Sequence, residues 1–409
     1  MDMLSPDKIE NIVQNSLDSL ALEGKRVLVI IPDGTRTFPA GMFFRLICKS
    51  LHGRVKALDY LIALGTHPPL DDAALLQHIG ITPQEKATAY SEVNLFNHCW
   101  DDPQSLTLIG TIPADETELL SNGLLRQPIP VRLNRRILEY DHLLVCGPVF
   151  PHEIAGFSGG NKYFFPGIAG ADIIHFTHWL GALLTSYVVI GTKDTLTRRM
   201  IDRAASFIPR PKHALCSVVS PEGLAGLFFG TPEQAFNAAA DCSAQVHIRW
   251  QDQEYQKVLS VLPEMYYELW VGSKGLFKVE PVVADGGEVI LYAPHIRQIS
   301  QTHGATIQQV GYHVRDYFVK QWDKYQHYPW ATLAHCTFLR GIGEYEADTG
   351  IERPRIQVTL ATGITEEICQ SVNLGYRNPA EIDPQAWMAR QEPGVLVVPR
   401  AGEYLYRLR

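Results

Sequence analysis

The sequence has little positive charge and no long apolar run, and each absence excludes a class of protein. Its net charge is −8 and no stretch is rich in lysine or arginine, which argues against a nucleic-acid-binding surface. Its apolar runs are too short to cross a membrane. The first 25 residues carry acidic side chains and no apolar core, so no signal peptide is predicted. We expect a cytoplasmic protein that binds neither nucleic acid nor membrane.

Cysteine is also sparse. The seven cysteines are odd in number, scattered along the chain and never arranged as a CxxC pair. This pattern predicts neither a disulfide framework nor a cysteine zinc site, and it is typical of free thiols in a reducing compartment.

The 409 residues, 46% hydrophobic and 20% charged, are enough for two globular domains. Strand-like runs alternate with helical ones, which predicts an α/β fold made of two α/β domains with mostly parallel sheets. We expect a cofactor-binding domain over residues 1–262, a second domain over 263–409 that contributes substrate contacts, and the active site in the cleft between them. The predicted strands are residues 26–31, 55–64, 142–147, 187–191, 266–274, 288–293 and 394–398, and a long helix is predicted over 305–325.

The segment with the most chemical information is the PHEIAGFSGGNK stretch, residues 151–162. It follows the apolar strand 142–147, at the end of a strand where α/β proteins bind ligands. Its glycines allow backbone N–H groups to approach an anion closely, and Lys162 ends it. The spacing fits neither a Walker A loop nor a dinucleotide fingerprint, so an ordinary strand-to-helix turn is an equally good explanation of this stretch alone.

Two further loops carry reactive side chains where a predicted strand ends. Asp33-Gly34-Thr35-Arg36 follows the first strand, and Gly65-Thr66-His67 follows the second. Because the carboxyl ends of parallel strands share one edge of a sheet, these loops indicate a common site. That clustering is a stronger signal than any single motif.

Taken together, the DGTR loop, the GTH loop, PHEIAGFSGGNK and His178 sixteen residues beyond its lysine resemble the nickel-pincer nucleotide-dependent lactate racemase superfamily. The resemblance is close from Asp33 to His178 and fades toward Lys274. It implies a nickel-pincer nucleotide, the Ni(II) complex of pyridinium-3,5-bisthiocarboxylic acid mononucleotide, covalently attached at Lys162. It also implies His178 as the protein ligand of a square-planar nickel, favoured by spacing over His175, and cofactor-biosynthesis proteins as partners.

The same resemblance assigns roles to further residues. It implies His67 and His152 as the two acid–base groups, which handle the hydroxyl proton while hydride leaves C2 for the nucleotide and returns to the other face. A turn cap at Asp33 and a surface ion pair at Arg36 are the structural alternatives. Cofactor contacts are implied for Asp33, Gly34, Thr35, Arg36, Gly159 and Gly160, and substrate contacts are expected for Arg36, Lys274, Trp270 and His295.

The expected substrate is a small-molecule 2-hydroxy acid. Residues 292–315 are rich in polar aromatic and basic side chains, as a polyhydroxylated acid would require. The region resembles the D-gluconate 2-epimerase branch, so we expect interconversion of D-gluconate and D-mannonate. Trp270-Val271 stands where the lactate-specific pattern has tyrosine and glutamine. Two alternatives remain: a racemase of lactate or malate at the same site, and a nickel- or nucleotide-binding protein without catalysis.

Overall fold

The computed structural model describes residues 3–390 and 392–409, and it is an α/β protein whose sheets are mostly parallel. The strands are β1 (Arg26–Pro32), β2 (Ala57–Ala63), β3 (Leu95–Asn97), β4 (Leu106–Ile112), β5 (Ile129–Asn134), β6 (His142–Pro148), β7 (Pro151–His152), β8 (Gly156–Phe157), β9 (Lys212–Ser220), β10 (Gly223–Gly230), β11 (Ile248–Gln251), β12 (Tyr255–Val261), β13 (Val283–Ala293), β14 (Gly343–Glu346), β15 (Ile351–Pro354), β16 (Gln357–Thr362), β17 (Gly375–Tyr376), β18 (Val395–Val398) and β19 (Leu405–Leu408).

The helices are mostly short. They are α1 (Pro6–Asp18), α2 (Ala40–Leu51), α3 (Asp72–His78), α4 (Pro83–Ala87), α5 (Ala114–Leu120), α6 (Ala171–Leu184), α7 (Ser186–Val189), α8 (Leu196–Ala205), α9 (Pro232–His247), α10 (Leu269–Gly272), α11 (Lys274–Phe277), α12 (Gly304–Val310), α13 (Arg315–Lys320), α14 (Trp322–Tyr325), α15 (Trp330–Phe338), α16 (Glu366–Ser371) and α17 (Pro384–Arg390). Within the described ranges, none is long and apolar enough to cross a membrane.

The chain divides into two compact units. The first comprises the described part of Met1–Phe150 together with Phe157–Ile174 and Arg198–Val246. The second comprises Pro151–Gly156, His175–Thr197 and His247–Arg409. The expected boundary between residues 262 and 263 falls inside the second unit, which includes residues 247–262 as well as the two short segments before residue 200.

The first unit contains a six-stranded sheet in the order β10-β9-β6-β1-β2-β3, parallel except for the β9–β10 pair. Alternate residues of β1 pack into one apolar core with α1 and α2, because successive side chains of a strand point to opposite faces of the sheet. Helix α1 contributes an apolar residue at every fourth position, which places these residues on one face of the helix. The core residues from these three elements include Ile9, Val13, Leu17, Val27, Val29, Ile31, Phe43 and Ile47. All seven residues of β6 are buried, as expected for a central parallel strand.

Strand pairing in this sheet positions two of the predicted loops. β1 and β2 are adjacent and parallel, with Pro32 opposite Ala63. The DGTR loop and the GTH loop therefore leave the same edge of the sheet at neighbouring positions. Asp71 caps α3, the helix that follows the GTH loop, by accepting the N–H of Ala74.

The second unit contains a five-stranded, wholly parallel sheet in the order β17-β16-β13-β12-β18. Leu259, Ile290, Ala361 and Ile382 form a buried apolar cluster in it. The strands predicted over 288–293 and 394–398 are confirmed as parts of β13 and β18.

Three secondary-structure predictions are wrong. The strands predicted over residues 187–191 and 266–274 are absent, and helices α7, α10 and α11 overlap these ranges. A short apolar run does not distinguish a strand from a buried helical turn. The long helix predicted over 305–325 is divided into α12, α13 and α14. Gly311 ends α12 with φ +81°, a left-handed conformation that glycine adopts at helix ends.

Candidate active site

Asp33 and His67 form a carboxylate–imidazole pair in the first unit, in which Asp33 is buried and His67 is partly exposed. Asp33 Oδ2 lies 2.5 Å from His67 Nδ1, and Asp33 Oδ1 accepts both the N–H and the hydroxyl of Thr35. Because an ionised carboxylate only accepts hydrogen bonds, Nδ1 of His67 carries the proton in this pair. Nε2 of a neutral His67 is therefore the unprotonated nitrogen, which is the state a general base requires.

Arg36 presents a guanidinium group with an unsatisfied donor. The guanidinium carbon Cζ of Arg36 lies 5.3 Å from the centre of the Phe150 ring. Nη1 is buried and has no hydrogen-bond partner in the part of the chain that the structure describes. A buried guanidinium N–H without an acceptor is costly, and a carboxylate or phosphate oxygen would satisfy it. This group therefore marks an anion site in the first unit.

The glycine loop before Lys162 adopts a conformation that side chains would prevent. Gly159 has φ +91° and Gly160 has φ +57°. A Cβ at Gly159 would lie 2.3 Å from Val149 Cγ2, and one at Gly160 would lie 2.7 Å from Phe236 Cβ. The two glycines thus permit the left-handed backbone and the close packing beneath the loop. Lys162 follows on the short 3₁₀ turn Gly160–Tyr163.

A buried arginine, Arg198, holds the backbone of this loop in place, and no sequence pattern indicated it. Arg198 donates to the carbonyl oxygens of Phe157 and Gly159 at 2.5 and 3.1 Å, and it stacks on the Phe236 ring at 3.9 Å. Burial lowers the pKa of its guanidinium to about 10, which leaves it charged at neutral pH. Lys162 is therefore attached to a loop whose carbonyls are fixed.

His152 lies in the second unit, on the two-residue strand β7. Its Nδ1 accepts the N–H of Ile154 at 3.2 Å and is 3.4 Å from Glu153 Oε2. The buried ammonium of Lys278 donates to the carbonyl oxygen of Pro151 and so ties down the backbone before the histidine. Glu153 lies within the quoted motif, but nothing in the pattern separated it from its neighbours, and Lys278 was missed because a lone lysine carries no pattern.

His178 lies on α6 in the second unit, close to a group of stacked rings. Trp270 is stacked between His303 and His335, at centroid distances of 4.2 and 4.1 Å. Burial lowers the pKa of His335 to about 3, and the neighbouring His303 and His178 act in the same direction. His335 is therefore neutral at physiological pH. Trp270, one of the predicted substrate contacts, is held rigidly by these two rings.

Several donors that suggested a polyhydroxylated substrate are used within the second unit itself. His295 Nε2 is 3.1 Å from the carbonyl oxygen of Tyr266, and His313 Nδ1 is 2.6 Å from Glu352 Oε2. The ammonium of Lys274 lies 5.1 Å from the centre of the Tyr266 ring. Two of the histidines therefore have structural partners, which weakens the argument for a sugar acid that their number suggested.

Among residues 3–390 and 392–409, no three His, Cys, Asp or Glu side chains are grouped closely enough to hold a metal ion between them. The seven cysteines are free thiols, and six of them are buried. Burial raises the pKa of the Cys216 thiol to about 12, so this thiol is protonated at neutral pH.

Sequence comparisons point to one enzyme family. The lactate racemase N-terminal domain family matches residues 7–188. The lactate racemase of Thermoanaerobacterium thermosaccharolyticum is 29% identical over 204 residues, which cover 47% of this chain and 43% of that protein. The lactate racemase of Lactiplantibacillus plantarum is 26% identical over 169 residues, which cover 41% of this chain and 35% of that protein. The chain thus aligns with less than half the length of these curated relatives.

Structural comparison extends the likeness to the whole chain. The structure of the lactate racemase apoprotein from Thermoanaerobacterium thermosaccharolyticum has a TM-score of 0.74 at 19% identity, covering 97% of this chain and 92% of that one, and it supports the fold alone. A crystal structure of a Thermotoga maritima protein has a TM-score of 0.92 at 31% identity and covers 100% of this chain and 99% of that one.

None of these relatives is named as a sugar-acid epimerase, so the predicted D-gluconate branch is not supported, and the alternative of a hydroxy-acid racemase fits better. Residues 7–188 are a lactate racemase N-terminal domain, and the whole chain belongs to the same family as the Thermotoga maritima protein.

Proposed function

We propose that this chain is an isomerase that racemises a small 2-hydroxy acid, with lactate the first candidate and malate the next. The observation that carries the proposal is the Asp33–His67 pair, which presents a histidine with an unprotonated Nε2. Removing the proton of a secondary hydroxyl near pH 7 requires such a group. The names of the curated relatives support the substrate class.

The residues of this chain fit the cofactor that the family resemblance implies. The unsatisfied Nη1 of Arg36 suits an anionic group, and the Gly159–Gly160 loop brings backbone close to Lys162. We assign the covalent attachment to Lys162, the nickel contact to His178 and further cofactor contacts to Asp33, Gly34, Thr35, Arg36, Gly159 and Gly160. When bound, the nickel-pincer nucleotide would supply a reversible acceptor for the hydrogen of C2 as hydride.

The chain's own residues supply binding, orientation and proton transfer. Arg36 and Lys274 are proposed to hold the substrate carboxylate, Arg36 through two parallel N–H groups. Nε2 of His67 takes the hydroxyl proton of one hand of the substrate, and Asp33 stabilises the imidazolium that results. His152 performs the same task for the other hand. Two further substrate contacts are proposed, from His295 and from Trp270, which is stacked on two imidazole rings.

The proposal is tested by incubating cofactor-loaded protein with L-lactate and separating the products on a chiral column. The mass of the Lys162 adduct, measured beforehand, establishes loading. The expected result is D-lactate approaching an equal share, with L-malate run in parallel. Loaded protein that leaves both acids unchanged would refute the small-acid assignment.

A sugar acid is the second candidate, on one observation. His335 Nε2 lies near the carbonyl oxygen of Trp270 and Ser273 Oγ, whereas its buried Nδ1 has no partner among the described residues. A substrate hydroxyl would supply a donor to this nitrogen. D-gluconate is therefore the third substrate of the assay, and conversion to D-mannonate without action on lactate or malate would favour the epimerase.

A protein that carries the nickel nucleotide without catalysis is distinguished by two variants. In a racemase, His67→Ala and His152→Ala abolish turnover, while nickel content and the Lys162 adduct persist. In a carrier, neither substitution changes any function. Loss of nickel from both variants would assign these histidines to metal binding.

A further inference from the structure

Nδ1 of His152 lies within reach of two groups of opposite hydrogen-bonding character. The N–H of Ile154 is 3.2 Å away and can only donate, while Glu153 Oε2 is 3.4 Å away and, when ionised, can only accept. The first contact requires an unprotonated Nδ1, and the second requires Nδ1–H. His67 differs, because its Nδ1 is matched by a carboxylate at 2.5 Å.

Only one of the two arrangements at His152 is useful for acid–base chemistry. With Nδ1 accepting from Ile154, the neutral ring carries its proton on Nε2, so Nε2 cannot take another proton from a substrate. Donation from that neutral ring would leave an imidazolate anion, which is far too basic to form near pH 7. A histidine that accepts at Nε2 as imidazole and donates from Nε2 as imidazolium needs a proton on Nδ1 in both states.

We propose that Glu153 is the positioning residue that holds Nδ1–H of His152 in the working enzyme, as Asp33 does for His67. The inference rests on the proposed function, in which His152 is the second acid–base group. During turnover the imidazolium gives its Nε2 proton to the substrate oxygen and becomes neutral imidazole. Throughout this step Nδ1 keeps its proton and donates it in a hydrogen bond to Glu153. In the opposite direction, Nε2 takes the hydroxyl proton and Nδ1–H again stays in place.

The surroundings of the pair suit this exchange of partners. The side chains of His152 and Glu153 are only 5% and 14% exposed, so water competes weakly for their hydrogen bond. Lys278 fixes the carbonyl of Pro151, and Gly156 packs its Cα close to the carbonyl oxygen of Thr192, where a Cβ would lie 1.7 Å away. The backbone on both sides is therefore held, so the exchange of Ile154 for Glu153 as the partner of Nδ1 involves the two side chains rather than the backbone.

The direct test is NMR of the full chain with ¹³C- and ¹⁵N-labelled histidine, at a pH where the ring is neutral, comparing wild type with Glu153→Gln. Ring carbon and nitrogen shifts report which nitrogen carries the proton, and the signal of His152 is assigned by its loss in His152→Gln. We expect a measurable share of the Nδ1–H form in wild type and only the Nε2–H form in Glu153→Gln. An unchanged share would overturn the proposal.

A matched control is Glu352→Gln, which removes the carboxylate from Nδ1 of His313 in the same unit. It should shift the His313 signal and leave His152 unchanged. Should Glu153→Gln fail to fold, wild type alone decides, because His152 found wholly as Nε2–H both in the free protein and in cofactor-loaded protein with substrate contradicts the assignment.

Kinetics separate positioning from binding and from the proposed function itself. In loaded enzyme, Glu153→Gln should lower kcat at least tenfold in both directions with little change in KM, while the ratio of kcat/KM values stays fixed by the equilibrium constant. Unchanged kcat together with the lost Nδ1–H form would remove the catalytic role of Glu153. If loaded wild type shows no turnover but the NMR change occurs, the proposed function fails and the hydrogen-bond assignment stands.

Discussion

Replacement of Asp33 by asparagine tests the part of the site that the structure defines best. The carboxylate accepts from His67 Nδ1 at 2.5 Å and from both donors of Thr35. With the amide oxygen retained by Thr35, the NH₂ group of the substituted side chain would face His67 Nδ1. A donor facing Nδ1 forces the neutral imidazole to carry its proton on Nε2, so the lone pair is lost from the nitrogen that serves as the base.

The magnitude follows from two losses. The charge-assisted hydrogen bond at 2.5 Å contributes about 1.5–3 kcal/mol, or roughly 10- to 100-fold in rate where it stabilises the imidazolium. Holding the wrong tautomer adds to this, and removal of a positioned acid–base group costs on the order of 10²–10⁴-fold. We therefore expect kcat of the loaded Asp33→Asn enzyme to fall by roughly 10²- to 10⁴-fold.

The assay measures racemisation by cofactor-loaded protein, with the mass of the Lys162 adduct recorded for each preparation. Asp59→Asn is the matched control in the same sheet, since Asp59 is a buried carboxylate that accepts from Asn94 and Tyr140. It should lower stability without lowering kcat per loaded site. A loaded Asp33→Asn enzyme within threefold of wild type would refute the role given to the Asp33–His67 pair.

Three further predictions concern stability. Gly160→Ala should lower the free energy of unfolding, measured by urea titration, by about 3 kcal/mol, because the Cβ would lie 2.7 Å from Phe236 Cβ and φ is +57°. Gly53→Ala is the control, since φ is +71° but the space around it is open, and it should cost about 1 kcal/mol. Arg198→Met should cost about 3 kcal/mol, since two buried carbonyls lose their donors, and an unchanged urea midpoint would contradict this. Burial lowers the pKa of His98 to about 4, so between pH 6.5 and 4 the unfolded chain binds more protons than the folded protein. The free energy of unfolding should therefore fall by up to about 3 kcal/mol on acidification through that window, and by less in His98→Gln.

The sequence predicted the parallel sheet of the first unit because its strands are short, apolar and followed by motifs. β1, β2 and β6 were placed within a few residues, and the position of the DGTR and GTH loops at neighbouring strand ends follows from that. The Asp33–His67 contact was not foreseen as a hydrogen bond. It depends on the register that sets Pro32 opposite Ala63, which a single sequence does not specify.

The sequence was less informative about the second unit. Residues 266–274 contain enough apolar and aromatic side chains for a strand, yet they form two helical turns, where Ser273 Oγ bonds to the carbonyl of Leu269 one turn back. Lys278 in this unit, like Arg198 in the first, donates to a backbone carbonyl distant in sequence, and such contacts leave no local pattern. The number of histidines suggested a polyol substrate, but two of them are held by Tyr266 and Glu352.

L-lactate carrying deuterium at C2 shows whether the hydrogen of C2 moves as hydride, when it is incubated with protein whose Lys162 adduct and nickel content have been measured. We expect D-lactate to accumulate with the deuterium still on C2, because the hydrogen is removed and returned without exchange with water. Inversion with deuterium lost to solvent would contradict the proposed chemistry. Fully loaded protein that leaves lactate, malate and gluconate all unchanged would contradict the assignment of this chain as a hydroxy-acid racemase or epimerase.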